Sequence, residues 1–179
     1  MKKCLLLIAI IGYALICPAQ KFLDIKPAKP QPGSVITITY NPKNTSLFGV
    51  KDFQAKAYLL EGKLPVVQPI TLRKVGAVYT GQVKTNDTTK AVFFSFSTEE
   101  VAENNGDEGY YTMLYTKDGL EVQGANMAVA SGIGNFGGIW RLKANAARAK
   151  EFTKKELARA DVKEKYYNEY LFLVLGYTD

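Results

Sequence analysis

Val35-Ile36-Thr37-Ile38-Thr39-Tyr40 alternates apolar residues with threonine, the period-two signature of a strand that buries one face. Asn41-Pro42-Lys43-Asn44 follows it as a turn. The same rhythm recurs downstream. Phe53 to Leu60 places Phe53, Ala55, Ala57 and Leu59 on one face, and Glu61-Gly62-Lys63 makes a tight hairpin into Leu64 to Leu72. Pro65 and Pro69 demote that strand to a sheet edge, because proline cannot donate to the ladder. Ala77 to Lys84 is another strand, closed by the polar turn Asn86-Asp87-Thr88-Thr89. Lys90 to Ser97 is rich in aromatic and β-branched residues, with Val92, Phe94 and Phe96 on one side. Tyr110 to Tyr115, the turn Lys117-Asp118-Gly119 and Leu120 to Ala125 complete seven expected strands. Strands and turns at this spacing predict a mainly β chain, an antiparallel immunoglobulin-like β-sandwich. The Cys and Trp landmarks of antibody-type domains are missing, so the expectation concerns architecture.

The pattern changes near Gly132. From Trp140 the spacing becomes helical: Leu142, Ala146, Ala149, Phe152 and Leu157 form a stripe with basic residues opposite. Asp161, with Glu164 three residues later, reads as the capping box of a second helix. Val162, Tyr166, Tyr170, Leu173 and Tyr177 line one face of it, and Tyr170 to Leu175 is apolar all round. A helix of that kind needs cover on more than one side. The candidate interaction surface is therefore Trp140, Tyr166, Tyr170, Leu173 and Tyr177, serving a protein partner or self-association through the C-terminal helix. Trp140 has a competing role as a plug where helix meets sandwich.

At the other end, Met1-Lys2-Lys3 is a short basic start, Cys4 to Cys17 an almost unbroken apolar run, and Pro18-Ala19-Gln20 a cleavage point. That is the layout of a secretory signal peptide, and the run is shorter than the roughly 20 residues of a spanning helix. A lipoprotein built on Cys17 is disfavoured, since the preceding Ile16 is not small. The expected organisation is a signal peptide over 1–19, a sandwich over 20–131, a Gly-rich joint over 132–139 and a helical hairpin over 140–179, open to truncation at its end. Export to the periplasm or cell envelope follows, with the membrane engaged only through the signal peptide.

Cleavage removes both cysteines, and the chain has no histidine. Ser–His–Asp, Cys–His and structural zinc chemistry all lose their residue types. Disulfides are equally unavailable, so burial of the 11 Tyr and 9 Phe residues of the chain is the obvious material for the core. Loss of Lys2 and Lys3 leaves 21 basic residues against 17 acidic. The lysines are scattered, and Glu151, Glu156, Asp161 and Glu164 interrupt the densest basic stretch, Lys143 to Lys165. Mixed charge of this kind marks a solvated helix face, and nucleic acid is not an expected partner.

Five local motifs carry chemistry on paper. Gly132-Ile133-Gly134-Asn135-Phe136-Gly137 fits G-x-G-x-x-G, but lacks the βαβ unit a dinucleotide site requires, so a flexible joint is the expected role and no cofactor is expected. Glu103-Asn104-Asn105-Gly106-Asp107-Glu108 offers hard oxygens for calcium, yet fails the helix–loop–helix register and reads as part of an exposed loop over Glu99 to Glu108. Glu99 and Glu100 are the best local candidates for a carboxylate pair of the glycosidase kind, with solvation the better reading. Asn44-Thr45-Ser46 and Asn86-Asp87-Thr88 match glycosylation acceptors.

Three segments resemble one bacterial envelope group. They are Pro32-Gly33-Ser34-Val35-Ile36-Thr37-Ile38-Thr39-Tyr40-Asn41-Pro42, Thr85-Asn86-Asp87-Thr88-Thr89-Lys90-Ala91-Val92-Phe93-Phe94 and Asn104-Asn105-Gly106-Asp107-Glu108-Gly109-Tyr110-Tyr111. They look like the N-terminal region of thioredoxin-like, TlpA-type proteins. In that group an immunoglobulin-like sandwich precedes a helical segment and a thioredoxin fold follows. Redox activity there rests on a Cys-x-x-Cys pair that this chain does not contain, so the resemblance carries over no catalytic residue. It implies the accessory part of a redox protein. The residues themselves point to a non-enzymatic binding or scaffolding module, with a glycan-binding or carboxylate-based hydrolase domain as a third reading.

Overall fold

The structure, a computed structural model, describes residues 22–159. It is mainly β: two antiparallel sheets, followed by helices. The strands are β1 (Leu23–Lys26), β2 (Val35–Tyr40), β3 (Gln54–Leu60), β4 (Pro65–Ile70), β5 (Arg73–Val75), β6 (Val78–Lys84), β7 (Ala91–Ser97), β8 (Ala102–Glu103) and β9 (Tyr110–Met113). One sheet has the order β1-β2-β6-β5, and the other β4-β3-β7, with β8 and β9 sharing the far edge of β7. β4 lies at an edge, as its two prolines predict.

Strand alternation explains the core between the sheets. Ile36, Ile38 and Tyr40 of β2 meet Ala55, Ala57 and Leu59 of β3 and Val92, Phe94 and Phe96 of β7. The Tyr40 ring stacks on Phe96 across the two sheets, with centroids 4.1 Å apart. β7 is buried on both faces, because its other side packs under a helical layer.

That layer consists of α1 (Ala125–Gly134), a 3-10 turn over Gly137–Trp140 and α2 (Ala146–Leu157). It departs from expectation in three places. Leu120 to Ala125 is not a strand: only an isolated bridge, Tyr115 to Glu121, forms before the chain enters α1. Ala125, Val129, Gly132 and Ile133 recur at helical spacing and bury one face, which decides the conformation. Gly132 and Gly134 are then the last turn of α1 rather than a loose joint. Gly132 lies against the ring of Phe93, and Gly134 faces the Ala149 Cβ of α2. These glycines admit close packing, and they sit at a helix C-terminal end, where a pyrophosphate finds no N–H groups. Finally, α2 starts at Ala146, after the side chain of Asn145 caps the Arg148 amide, so Leu142 is buried but precedes the helix.

α1 and α2 run antiparallel. The α2 N-cap, Asn145, donates its amide to Ile133 O near the end of α1, while Glu156 near the end of α2 reaches the start of α1. Asp161 and the second-helix stripe lie outside the described residues.

Candidate functional site

The outer face of the second sheet changes chemistry half-way along its strands. On β3 that face carries Leu60 and Tyr58, then Lys56 and Gln54; on β7 it carries Ala91 and Phe93, then Ser95 and Ser97. The apolar half is roofed by the helical layer, where Phe93 stacks between Trp140 (4.8 Å) and Tyr111 (5.2 Å). The polar half grades toward solvent: Ser95 is buried, Lys56 and Ser97 are half-buried and Gln54 is exposed. Chain register thus sets where the roof stops: an apolar sheet face demands cover, a hydroxyl-bearing one does not.

The result is a ledge of 260 Å³ floored by Lys56, Ser95 and Ser97 and walled by Tyr58, Ile139 and Arg141, with Gln54, Thr98 and Glu99 at its margins. Ser95 is buried, while Ile139 and Arg141 of the turn after α1 are exposed. Arg141 adopts a left-handed conformation, φ 55°, unusual for a side chain with a Cβ. Three contacts hold it there: its amide donates to Gly138 O at 3.3 Å, its carbonyl accepts from Asn104 Nδ2 at 3.2 Å, and its Nη2 donates to Glu99 O at 2.7 Å. Among the described residues neither Lys56 nor Arg141 forms an ion pair. Burial pushes the Tyr58 hydroxyl above its ordinary range, so it stays a neutral donor and acceptor.

Two buried carboxylates lie outside the ledge. Glu103 was expected in an exposed loop, yet it is buried in β8. Its Oε1 accepts from the Asn105 amide (2.9 Å) and the Tyr110 hydroxyl (3.1 Å), and its Oε2 from the Ser46 amide (3.1 Å) and hydroxyl (3.0 Å). Both oxygens therefore face N–H and O–H donors, the reverse of what a cation requires. In the rest of that loop Asp107 Oδ1 accepts from Asn104 Nδ2, and Glu108 pairs with Arg148 at 2.8 Å. Among the described residues, no three His, Cys, Asp or Glu side chains group as a metal site would.

Glu156 is the second, fully buried in α2. Beside it Glu121 accepts from Lys155 Nζ (2.6 Å) and Asn126 Nδ2 (2.7 Å). Burial alone would raise the Glu121 carboxyl; those hydrogen bonds and the charges of Lys155 and Arg159 outweigh it and hold the group below the usual carboxylate range.

Of the residues singled out from sequence, Trp140 is buried against Tyr58 and Phe93, so it belongs to the interior under the helical layer and not to an exposed surface. Tyr166, Tyr170, Leu173 and Tyr177 lie outside the described residues. Glu99 and Glu100 are exposed, and Asn86 Nδ2 donates to Glu61 at 2.7 Å. Sequence reasoning passed over the ledge, although Ala91-Val92-Phe93-Phe94-Ser95-Phe96-Ser97 carried its signal: one face stays apolar while the other turns to serine.

A second depression of 330 Å³ lies between α1 and the β3–β4 hairpin, lined by Leu60, Lys63, Met127, Ala128 and Phe136. Among the described residues no helix is long and apolar enough to cross a membrane. The chain matches no protein-family model and no curated protein.

Proposed function

We propose that the protein is an exported, non-catalytic binding and scaffolding module of the cell envelope, built as an immunoglobulin-like sandwich that carries helices on one sheet. The strand order supports the immunoglobulin-like description. First, second, sixth and fifth strands share one sheet while third, seventh and ninth share the other, the ABED and CFG arrangement with β4 added at an edge. The basic start, the apolar run and the small residue at Ala19 support export. With no His and no Cys in residues 20–179, the commonest nucleophile–base pairs are missing.

The observation that carries the binding reading is the ledge: a concave polar surface, seated on two central strands and flanked by a turn that three hydrogen bonds hold in place. Glycan and peptide arrays probed with the full chain and with the Lys56→Glu/Arg141→Glu double variant test it. Retention of intact ligand by the native chain and its loss in the variant are expected. Cleavage of a ligand, or retention that the variant keeps, overturns the reading. Recovery of a mass matching residues 20–179 from the native envelope tests export.

A second reading makes this the accessory N-terminal part of a thioredoxin-like disulfide oxidoreductase. It rests on the resemblance of the three segments and on the order of layers, sheets first and helices after. A thioredoxin-like Cys-x-x-Cys encoded downstream of Asp179 is its test, and a stop codon there removes it.

A further inference from the structure

We propose that the ledge binds a carboxylate-bearing saccharide, a uronic-acid unit, with the carboxylate between Lys56 and Arg141 and the sugar hydroxyls over Ser95 and Ser97; this rests on the binding reading above. Four features of the site select that chemistry.

The first is charge. Lys56 arrives from β3 and Arg141 from the turn after α1, and among the described residues neither is neutralised by an ion pair. Glu99 also lines the ledge, so its balance is two cations against one carboxylate. A net charge of that size suits one carboxylate and is too small for a phosphate cluster.

The second is the floor. Ser95 and Ser97, with Gln54 beside them, present groups that both donate and accept, as sugar hydroxyls do. An apolar ligand would leave these groups desolvated and unpaired.

Pre-organisation is the third. Arg141 is fixed by Asn104, by Glu99 O and by its own turn, and only Nη2 is committed, so the rest of its guanidinium fork can meet a carboxylate. The turn's backbone is set before binding, and one contact, to Glu99 O, already orients the Arg141 side chain.

Size is the fourth. At 260 Å³ the ledge lies just below the range of about 300–1,000 Å³ usual for small-ligand pockets, which suits one sugar ring with a second extending into solvent. Ile139 and Tyr58 supply an apolar wall for the ring's C–H face.

The experiment is amide NMR titration of the full chain with digalacturonate, with cellobiose as the neutral counterpart, at low and high salt. Digalacturonate is expected to shift amides of β3, β7 and the Ile139–Arg141 turn, and to bind more weakly as salt rises. Arg141→Ala and Lys56→Gln are each expected to weaken it about tenfold, the usual scale for one charge-assisted contact. The two variants sit on different elements, so a folding defect in one leaves the other informative. Equal binding of cellobiose overturns the uronic-acid assignment while the ledge remains a binding site, and binding that neither variant weakens overturns both the assignment and the ledge as its seat. Absence of any digalacturonate shift at the ledge overturns the assignment too, and the array comparison then decides the binding reading separately.

Discussion

Glu156, near the end of α2, holds the first turn of α1 by accepting a hydrogen bond from the backbone amide of Asn126 at 2.9 Å. Its other oxygen accepts from the Gly124 amide at 2.6 Å. A helix start leaves N–H groups without partners and carries partial positive charge, and α1 has no capping side chain of its own. A residue 30 positions downstream therefore supplies the cap.

Glu156→Ala is expected to cost about 2–4 kcal/mol, since two buried amides lose their acceptor. Glu156→Gln keeps one acceptor and is expected to lose less. Urea midpoints of the two variants check the order; equal midpoints for both and the native chain would show that the clamp contributes nothing.

Gly132→Ala sets two effects against each other. Alanine favours a helix by about 1 kcal/mol over glycine. A Cβ at 132 would meet the Phe93 ring, itself fully buried beside Tyr111 and Trp140 and unable to retreat. Overpacking of about 1–3 kcal/mol is expected to win, lowering the melting temperature in calorimetry.

Alkaline pH acts on the aromatic core. Burial is the main cause that pushes the Tyr40 hydroxyl up to about 12, with the nearby Glu103 charge adding to it and the Thr45 hydrogen bond opposing it. Tyr110 moves the same way for the same main cause. The folded chain then keeps these protons where the unfolded chain loses them, so stability is full below pH 10 and falls as pH rises toward 12. For Tyr40 the difference between 10 and about 12 corresponds to about 3 kcal/mol. Denaturant midpoints across that window check the slope, and Tyr40→Phe should flatten part of it.

Acid acts on Glu121, whose carboxyl lies below its ordinary range in the folded chain. Its contribution is present above the unfolded-state value of 4.5 and is lost as pH falls through the lower folded value. Lys155→Met removes the 2.6 Å partner and is expected to shrink this acid-side loss. Midpoints measured on both sides of pH 4.5 decide it.

Much of the β framework was legible. β2, β3 and β7 each carry one periodic apolar face, and Ile38, Ala57 and Phe94 lie in the core where alternation places them. β1 and β5 escaped notice because four and three residues are too few to establish a period. Leu120 to Ala125 looked extended, yet its pairing ends at a single bridge to Tyr115, and the Ala125–Val129–Ile133 spacing that starts within it wins. Glu103 and Glu156 read as solvated charges, because composition does not say that a carboxylate will find four donors or two orphan amides. The ledge was half legible: Ser95 and Ser97 mark an open face, but Arg141 reaches it only through a turn 44 residues further on.

The sequence by itself determined which residues of each strand turn inward, since alternation is a local property of an extended backbone. It also determined that cysteine and histidine chemistry is closed to residues 20–179. Only the tertiary structure decided that β7 is covered on both sides, that Trp140 is interior and that the roof stops at Ser95. Those outcomes depend on contacts between positions far apart, Ser46 with Glu103 or Gly124 with Glu156, separated by 57 and 32 residues. A buried carboxylate and an exposed one are the same letter; what separates them is whether distant backbone amides arrive to replace water.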